Sequence, residues 1–224
     1  MGCCRTGGDK LPYFHDSNVL IGYYFHTADT WGQAATSVFD DPEMNYTSTS
    51  VWDECFGIEN DGRCNTIENK ILGEFRRAIT ALKRDPSSES LAAKAEEWRI
   101  RGIVVQAVSC TDGDATATLK LLEKLKGCYE QECMQRLIHL EDKKVLVCHQ
   151  RRAGYNEIYH FLSVSIDDKD DIEVVLDAHD LALEVPDLVF WTGDHNHIVR
   201  NREQVLVQTD LLDVRFLGDA QTQQ

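Results

Sequence analysis

Four acidic residues stand at places where chain segments end or begin. Asp16 follows a short apolar run at 11–15 (LPYFH), and Asp194 follows another at 188–191, through Thr192-Gly193. Glu54 comes shortly after the Ser/Thr-rich stretch 46–50 (YTSTS), and Asp171 opens the stretch 171–185 (DIEVVLDAHDLALEV). Singly, an Asp at a strand end or helix start has an ordinary use as a turn former or cap. Together, inward-facing carboxylates repel unless cations neutralise them. Hard oxygen ligands of this kind suit Mg²⁺ or Mn²⁺, which keep several waters and bind phosphate oxygens. Such ions activate water and stabilise charge on a phosphodiester under attack. The chemistry this points to is metal-assisted phosphodiester hydrolysis.

The elements that must position these residues can be read from the apolar pattern. The run 11–15 reads as a strand that stops at Asp16-Ser17-Asn18, where a helix opens onto Val19-Leu20-Ile21. Residues 46–50 read as a strand, with Ser50 and Asp53 as a capping box that places Glu54 in the first turn of the next helix. The middle reads as mostly helical: 67–82, a break at 84–88, 91–98, and a long amphipathic stretch over 115–140. Within it, 102–108 (GIVVQAV) reads as a buried strand, 145–147 as a strand or its end, and 161–166 as either type. Later come the helix 171–185 ended by Pro186, a strand at 188–191, a helix over 198–208 and a last strand at 214–217. Strands alternating with helices, and almost no hairpin signals, predict an α/β fold: a three-layer α/β/α sandwich with a central parallel sheet.

In such a sheet, ligands bind outside the carboxyl ends of the strands, so acids far apart in sequence can converge there. On a wheel of about 100° per residue, Asp171 falls among Val174, Val175, Ala178, Leu181, Ala182 and Val185. Glu173, Asp177, Asp180 and Glu184 fall opposite. That predicts Asp171 on the core side of its helix, with Asp177 and Asp180 on a solvated stripe.

Composition narrows the function classes. The chain has 224 residues, 42% of them hydrophobic, enough apolar mass for a core. A formal charge of −15, from 23 Lys+Arg against 38 Asp+Glu, opposes broad adhesion to nucleic acid or anionic lipid but not a local cation site. Asp outnumbers Glu and Lys is sparse, a composition suited to a salt-rich cytoplasm. No run of about 18 apolar residues is present, so no membrane span is expected. The N-terminus lacks the apolar core of a secretory signal, so a cytoplasmic protein with reduced thiols is expected. Its 8 cysteines form no C-x-x-C pair, which argues against structural zinc. Met1-Gly2 with Thr6, and Cys3-Cys4, fit a short acylation pattern, but a loose arm over 1–10 is the simpler reading. Neither a phosphate-binding glycine loop nor a serine elbow is present. Arg151-Arg152 and Arg200/Arg202 are the compact basic features available to hold an RNA backbone, and His195 and His197 flank the last acid.

The four acid-bearing segments resemble, in order and rough spacing, those of the PIN-domain ribonucleases. Asp16-Ser17-Asn18-Val19-Leu20 is similar to that family's opening motif, and Ser48–Glu54 to its Glu after a Ser/Thr-rich strand. Asp171-Ile172-Glu173-Val174-Val175-Leu176-Asp177-Ala178 is similar to its Asp-Ile-x-x-Leu-x-x-Ala helix, with Leu176 displaced. Thr192-Gly193-Asp194 is similar to its Thr-x-Asp. The resemblance covers about 11–218 as a single PIN-like domain, with extra helical segments in about 60–165 and a tail at 219–224. It implies a divalent-metal-dependent endoribonuclease in which Asp16, Asp171 and Asp194 bind Mg²⁺ or Mn²⁺. Glu54 would be a ligand or a base that positions water. Thr192 would fix Asp194, and Asn18 would do likewise for Asp16. Asp177, also in an Asp-Ala setting, is the alternative third acid. The resemblance equally admits a catalytically inactive binding or regulatory module. A toxin held by an antitoxin partner, or a homodimer, is also compatible with it.

Overall fold

The computed structural model describes residues 10–26, 31–40, 44–57 and 67–221. The arm at 1–9 with Cys3 and Cys4, and the end of the tail at 222–224, lie outside the described residues. The fold is α/β, a three-layer sandwich whose centre is a five-stranded, all-parallel sheet. The strands are β1 (Tyr13–His15), β2 (Asn45–Ser48), β3 (Leu146–His149), β4 (Val189–Thr192) and β5 (Asp213–Phe216), in the order β3-β2-β1-β4-β5. Ten residues or more separate each pair, as parallel connections require.

The chain forms two compact units. One comprises Met1–Gly57 and His139–Gln224 and contains the sheet; the other, Ile58–Ile138, is helical. The sheet unit holds α1 (Ser17–Phe25), α2 (Gly32–Asp40), α3 (Thr49–Phe56), α8 (Asn156–Leu162), α9 (Lys169–Ala182), α10 (Arg202–Gln208) and α11 (Leu217–Gln221). The helical unit holds α4 (Ile67–Arg84), α5 (Ser88–Lys94), α6 (Arg101–Cys110) and most of α7 (Ala115–Glu141). The extra helices expected over about 60–165 thus fall largely within Ile58–Ile138, whereas β3 and α8 belong with the sheet. Among the described residues no helix is long and apolar enough to cross a membrane.

Alternation along the short strands decides what each face carries. Tyr13 pairs with Val189, Phe14 with Phe190 and His15 with Trp191, so partners share a face. Phe14 and Phe190 meet edge-to-face at 5.6 Å on one side. On the other, His15 stacks on Phe39 of α2 at 4.4 Å and Tyr13 meets Trp191 at 5.8 Å. His15 is fully buried, which pulls its pKa down to about 4 against the opposing hydrogen bond with Asn45. Leu162, Ile172, Val175, Leu176 and Val205 extend the core from α8, α9 and α10.

The order of strands fixes where a ligand can sit. From β1 the chain steps outward to β2 and β3, then returns to the other side of β1 for β4 and β5. The reversal opens a crevice at the carboxyl ends of β1 and β4. Asp16 directly follows β1, and Thr192 ends β4.

Several elements differ from expectation. Residues 102–108 are helical, because only Val104 and Ala107 are buried, three apart on one stripe, while Val105 is 46% exposed. The helix after β2 is capped by Ser48, whose hydroxyl accepts from the Val51 amide at 3.2 Å, not by Ser50. Glu54 therefore lies in the second turn. The stretch 91–98 divides into α5, capped from Ser87, and a 3₁₀ turn at Ala95–Glu97. The stretch 161–166 is the end of α8 followed by a turn, and 198–208 begins as a 3₁₀ turn before α10.

The largest correction concerns α9. Asp177 and Asp180 do not face solvent: they are 5% and 1% exposed. Arg151 Nε lies 3.3 Å from Asp177, and Ser50 donates to the same carboxylate. Asp180 receives the Tyr155 hydroxyl at 2.5 Å, the Arg152 amide at 3.3 Å and His149 Nε2 at 2.7 Å. The segment after β3 covers the face of α9 that the wheel assigned to water. Burial alone would raise the Asp180 pKa, but Tyr155, His149 and Arg152 together hold it below the usual range. Replacing Asp180 by Ala should therefore cost about 3 kcal/mol in urea unfolding, because it strands buried partners. A loss under about 0.5 kcal/mol would return Asp180 to the class of solvated side chains.

Candidate carboxylate centre at the strand ends

Asp16 is both an N-cap and the innermost acid. Its Oδ1 accepts from the Ser17 amide at 2.6 Å and the Ser17 hydroxyl at 3.2 Å. Its Oδ2 accepts from Thr192 Oγ1 at 2.7 Å and Asn18 Nδ2 at 3.2 Å. The Asp16 amide donates to Trp191 O at 3.1 Å, locking the end of β1 to β4. Burial raises the Asp16 pKa, against the Thr192, Asn18 and Ser17 hydrogen bonds. The carboxylate is 4% exposed and no Lys or Arg reaches it among the described residues. The donors that reach it are neutral: the Ser17 amide and hydroxyl, Thr192 and Asn18.

Thr192 does more than expected. Its hydroxyl donates to Asp16 and accepts from the Asp194 amide at 2.9 Å, so it joins the two acids from β1 and β4. Gly193 between them has a steric reason: a Cβ there would lie 2.8 Å from Asn18 Cβ. Asp194 Oδ1 then accepts from the His197 amide at 2.8 Å, which fixes the carboxylate in a tight turn.

Asp171 lies in the first turn of α9, after the cap Asp168, whose side chain accepts from the Asp170 amide. His197 Nδ1 is 2.8 Å from Asp171 Oδ2 and 3.4 Å from Asp194 Oδ2, so one imidazole bridges the two acids. Asp171 is half-buried, and its pKa is pushed up to about 6. Burial is the chief cause, the His197 hydrogen bond opposes it, and Asp194, Asp16 and Asp168 add to the rise. The hydrogen bond to Asp171 and the charge of Asp194 raise the His197 pKa. Glu54 lies on the exposed rim. Desolvation of its carboxyl and then the charge of Asp16 push its pKa up; the Ser17 hydroxyl opposes, and Asp170 and Asp171 add to the rise.

Charge interactions link Asp171 with Asp194, Asp16 and Asp168, and Glu54 with Asp16, Asp170 and Asp171, near the carboxyl ends of β1 and β4; among the described residues only Asp168, Asp171 and His197 bring ligand atoms within 4.8 Å of one another. Asp177 is elsewhere, six residues or about 9 Å further along α9, neutralised by Arg151. Two members were not singled out as ligands from sequence. Asp168, Asp171 and His197 each offer an atom within 4.8 Å of the others, a group that could hold a metal ion. The acidic run 167–171 was the signal for Asp168; nothing in the sequence set His197 apart from His195, whose ring instead meets Phe216 at 5.2 Å.

The donor set fits a hard divalent cation: carboxylate oxygens, an imidazole, raised carboxyl pKa values and no Lys or Arg counter-charge among the described residues. Of the basic residues considered for RNA, Arg151 pairs with Glu173 and Asp177, Arg152 with Asp180 and Glu184, and Arg202 with Asp213. Arg200 is exposed. No protein-family model, curated protein or solved structure matches the chain.

The raised pKa of Asp171 makes cation binding compete with protons. Above about pH 6 the carboxylate is ionised and available; below, a proton occupies it. Adding Mn²⁺ should therefore raise the melting temperature at pH 7.5, and the increment should shrink at pH 5.5. An increment equal at both values would mean that Asp171 takes no part. Replacing Gly193 by Ala should push Asn18 from Asp16 and reduce the Mn²⁺ increment while shifting the metal-free melting temperature by only a few degrees.

Proposed function

We propose that the protein is a divalent-metal-dependent endoribonuclease that hydrolyses RNA phosphodiester bonds at this centre, in the manner of the PIN-domain family it resembles. What supports the reading is the contact of His197 with both Asp171 and Asp194, together with the charge interactions of Asp171 with Asp16 and of Glu54 with Asp16 and Asp171, at the topological reversal of a parallel sheet.

Asp16, Asp171 and Asp194 would hold Mg²⁺ or Mn²⁺, with Asp168 and His197 at the same position. Bound there, the ion would lower the pKa of a water and neutralise charge on the phosphate. Glu54, on the solvent side with its pKa raised, is placed to take a proton from an attacking water. Thr192, Ser17 and Asn18 orient Asp16 so that its lone pairs keep one direction. His197, protonated, stands in as the counter-charge of Asp171 and Asp194 when no metal is held.

The second reading is a binding or regulatory module without catalysis. The pairing of Arg151, Arg152 and Arg202 with acids favours it, since it leaves little basic surface for an RNA backbone in a chain of charge −15. A protein partner, such as an antitoxin over the centre, or a second copy of the chain belongs with either reading, as does a cytoplasmic setting.

Incubation of the purified protein with a mixed RNA pool and Mn²⁺ should give fragments, EDTA should stop the reaction, and Asp16→Asn should reduce it by at least about 10³-fold. Asp177→Asn should leave the metal dependence intact. Cleavage that survives both EDTA and Asp16→Asn would sink the nuclease reading. Stoichiometric Mn²⁺ heat without cleavage would favour the module.

A further inference from the structure

A cavity of about 770 Å³ opens on the sheet face that carries Tyr13 and Trp191, beside the carboxylate centre. Tyr13 and Trp191, 4% and 7% exposed, are its deepest aromatic residues; Phe216, Arg202, Asp213 and Arg215 are nearer solvent. Trp191 precedes Thr192 in β4. Phe216 ends β5 and touches the His195 ring, in the loop that carries Asp194, and Trp31 at 5.5 Å on its other contact. The cavity and the centre therefore share the 191–199 segment.

Its chemistry is mixed rather than apolar. Arg202 gives two bonds to Asp213 Oδ1, at 2.9 and 2.6 Å, and Arg215 Nε gives one to Oδ2 at 3.1 Å. The Arg215 guanidinium rests over the Trp191 ring at 5.7 Å. Trp191 Nε1 is buried and has no acceptor among the described residues, a rare state for an indole N–H, which can only donate. Asp219 also lines the cavity, so among the described residues its lining carries two arginines and two aspartates, a formal charge of zero. Net charge would draw in neither a free phosphate nor a metal ion. What fits is a neutral planar group with a π face for Phe216 and the guanidinium, and an edge carrying both acceptors and donors. Nucleobases have that combination, and the volume lies within the range of small-ligand pockets, about 300–1,000 Å³.

We propose that this cavity is a nucleobase pocket that takes one base, from a nucleotide or from an unpaired position in a strand, next to the carboxylate centre. The choice of ligand rests on the phosphodiester reading above, but binding in the pocket requires neither metal nor catalysis. Stacking on Phe216 and Arg215 supplies affinity, and an acceptor on the base edge pairs with the Trp191 indole N–H.

The test uses the full chain in EDTA, titrated by calorimetry and NMR with the four nucleoside 5′-monophosphates and with ribose 5-phosphate. At least one nucleotide should bind about tenfold or more tightly than ribose 5-phosphate, and Arg215→Gln should weaken it about fivefold. The Trp191 indole N–H resonance, assigned by its loss in Trp191→Phe, should shift on saturation. The proposal is overturned if no nucleotide binds, if ribose 5-phosphate binds equally well, if Arg215→Gln has no effect, or if that resonance stays still. Should Trp191→Phe fail to fold, Arg215→Gln decides, since its side chain is more than one-third exposed. Nucleotide binding without RNA cleavage would refute only the nuclease; cleavage without nucleotide binding would refute only the pocket.

Discussion

Burying the carboxyl of Asp16, and half-burying that of Asp171, at the carboxyl ends of β1 and β4 is the constraint that the rest of the sheet unit has to meet. Asp16, Glu54 and Asp171 carry raised pKa values with burial as the leading cause. Each raised value means that the folded state holds its proton more tightly than the unfolded chain, so these groups give up stability as pH rises through their folded pKa values. The fold keeps them together by other means. Neutral donors surround Asp16, a backbone turn pins Asp194, and the first turn of α9 presents Asp171 to His197. None of these contacts supplies a permanent positive charge, because His197 is cationic only while protonated.

The same helix treats its other acids differently. Asp177 and Asp180 are more buried than Asp171, yet arginines and hydroxyls compensate both. They bind α9 to the segment after β3 and so hold the helix that carries Asp171. Tyr155, in the left-handed region at φ 48°, reaches Asp180 from the start of α8, and its hydroxyl pKa is pushed up to about 12 by burial and by that carboxylate. Asp177 and Asp180 are thus paired with arginines, whereas Asp171 meets the imidazole of His197. Burial alone does not distinguish a ligand from a structural acid; the chemistry of the partners does.

Much of this was legible in the sequence. The apolar runs before Asp16 and Asp194 are strands because each is buried on both faces and bounded by polar turns. Helical periodicity grouped Asp171 with Val174, Val175, Ala178, Leu181 and Ala182, which are buried, although Asp171 itself is only half-buried. What failed did so for definable reasons. The wheel treated every polar residue as solvent-facing, but it had no knowledge of Arg151, Arg152, Tyr155 and His149, which arrive from a distant segment to cover that side. The run 102–108 looked like a strand because β propensity describes residues on a half-buried pleated surface, and no strand neighbour exists for it. Ser48 and Ser50 both had a capping side chain; the end of β2 at Ser48 decided between them. His197 was not distinguishable from His195 until the turn after Asp194 set one ring on the acids and the other on Phe216.

The reversal of strand order ties these features together. Because β4 returns beside β1, the residues that follow the two central strands face one crevice, and Thr192 can reach Asp16 across a long stretch of sequence. The register that pairs His15 with Trp191 also turns Trp191 to the face opposite Phe190, where β5 adds Asp213 and Arg215 in line with it. Adjacent residues of β4 therefore serve two chemistries: the Thr192 hydroxyl organises anionic oxygens at the strand end, and the Trp191 ring lines an aromatic cavity beside it. A one-residue slip of β4 against β1 would exchange those faces and separate Thr192 from Asp16. Strand register, more than any single acid, is what makes the centre and the cavity neighbours.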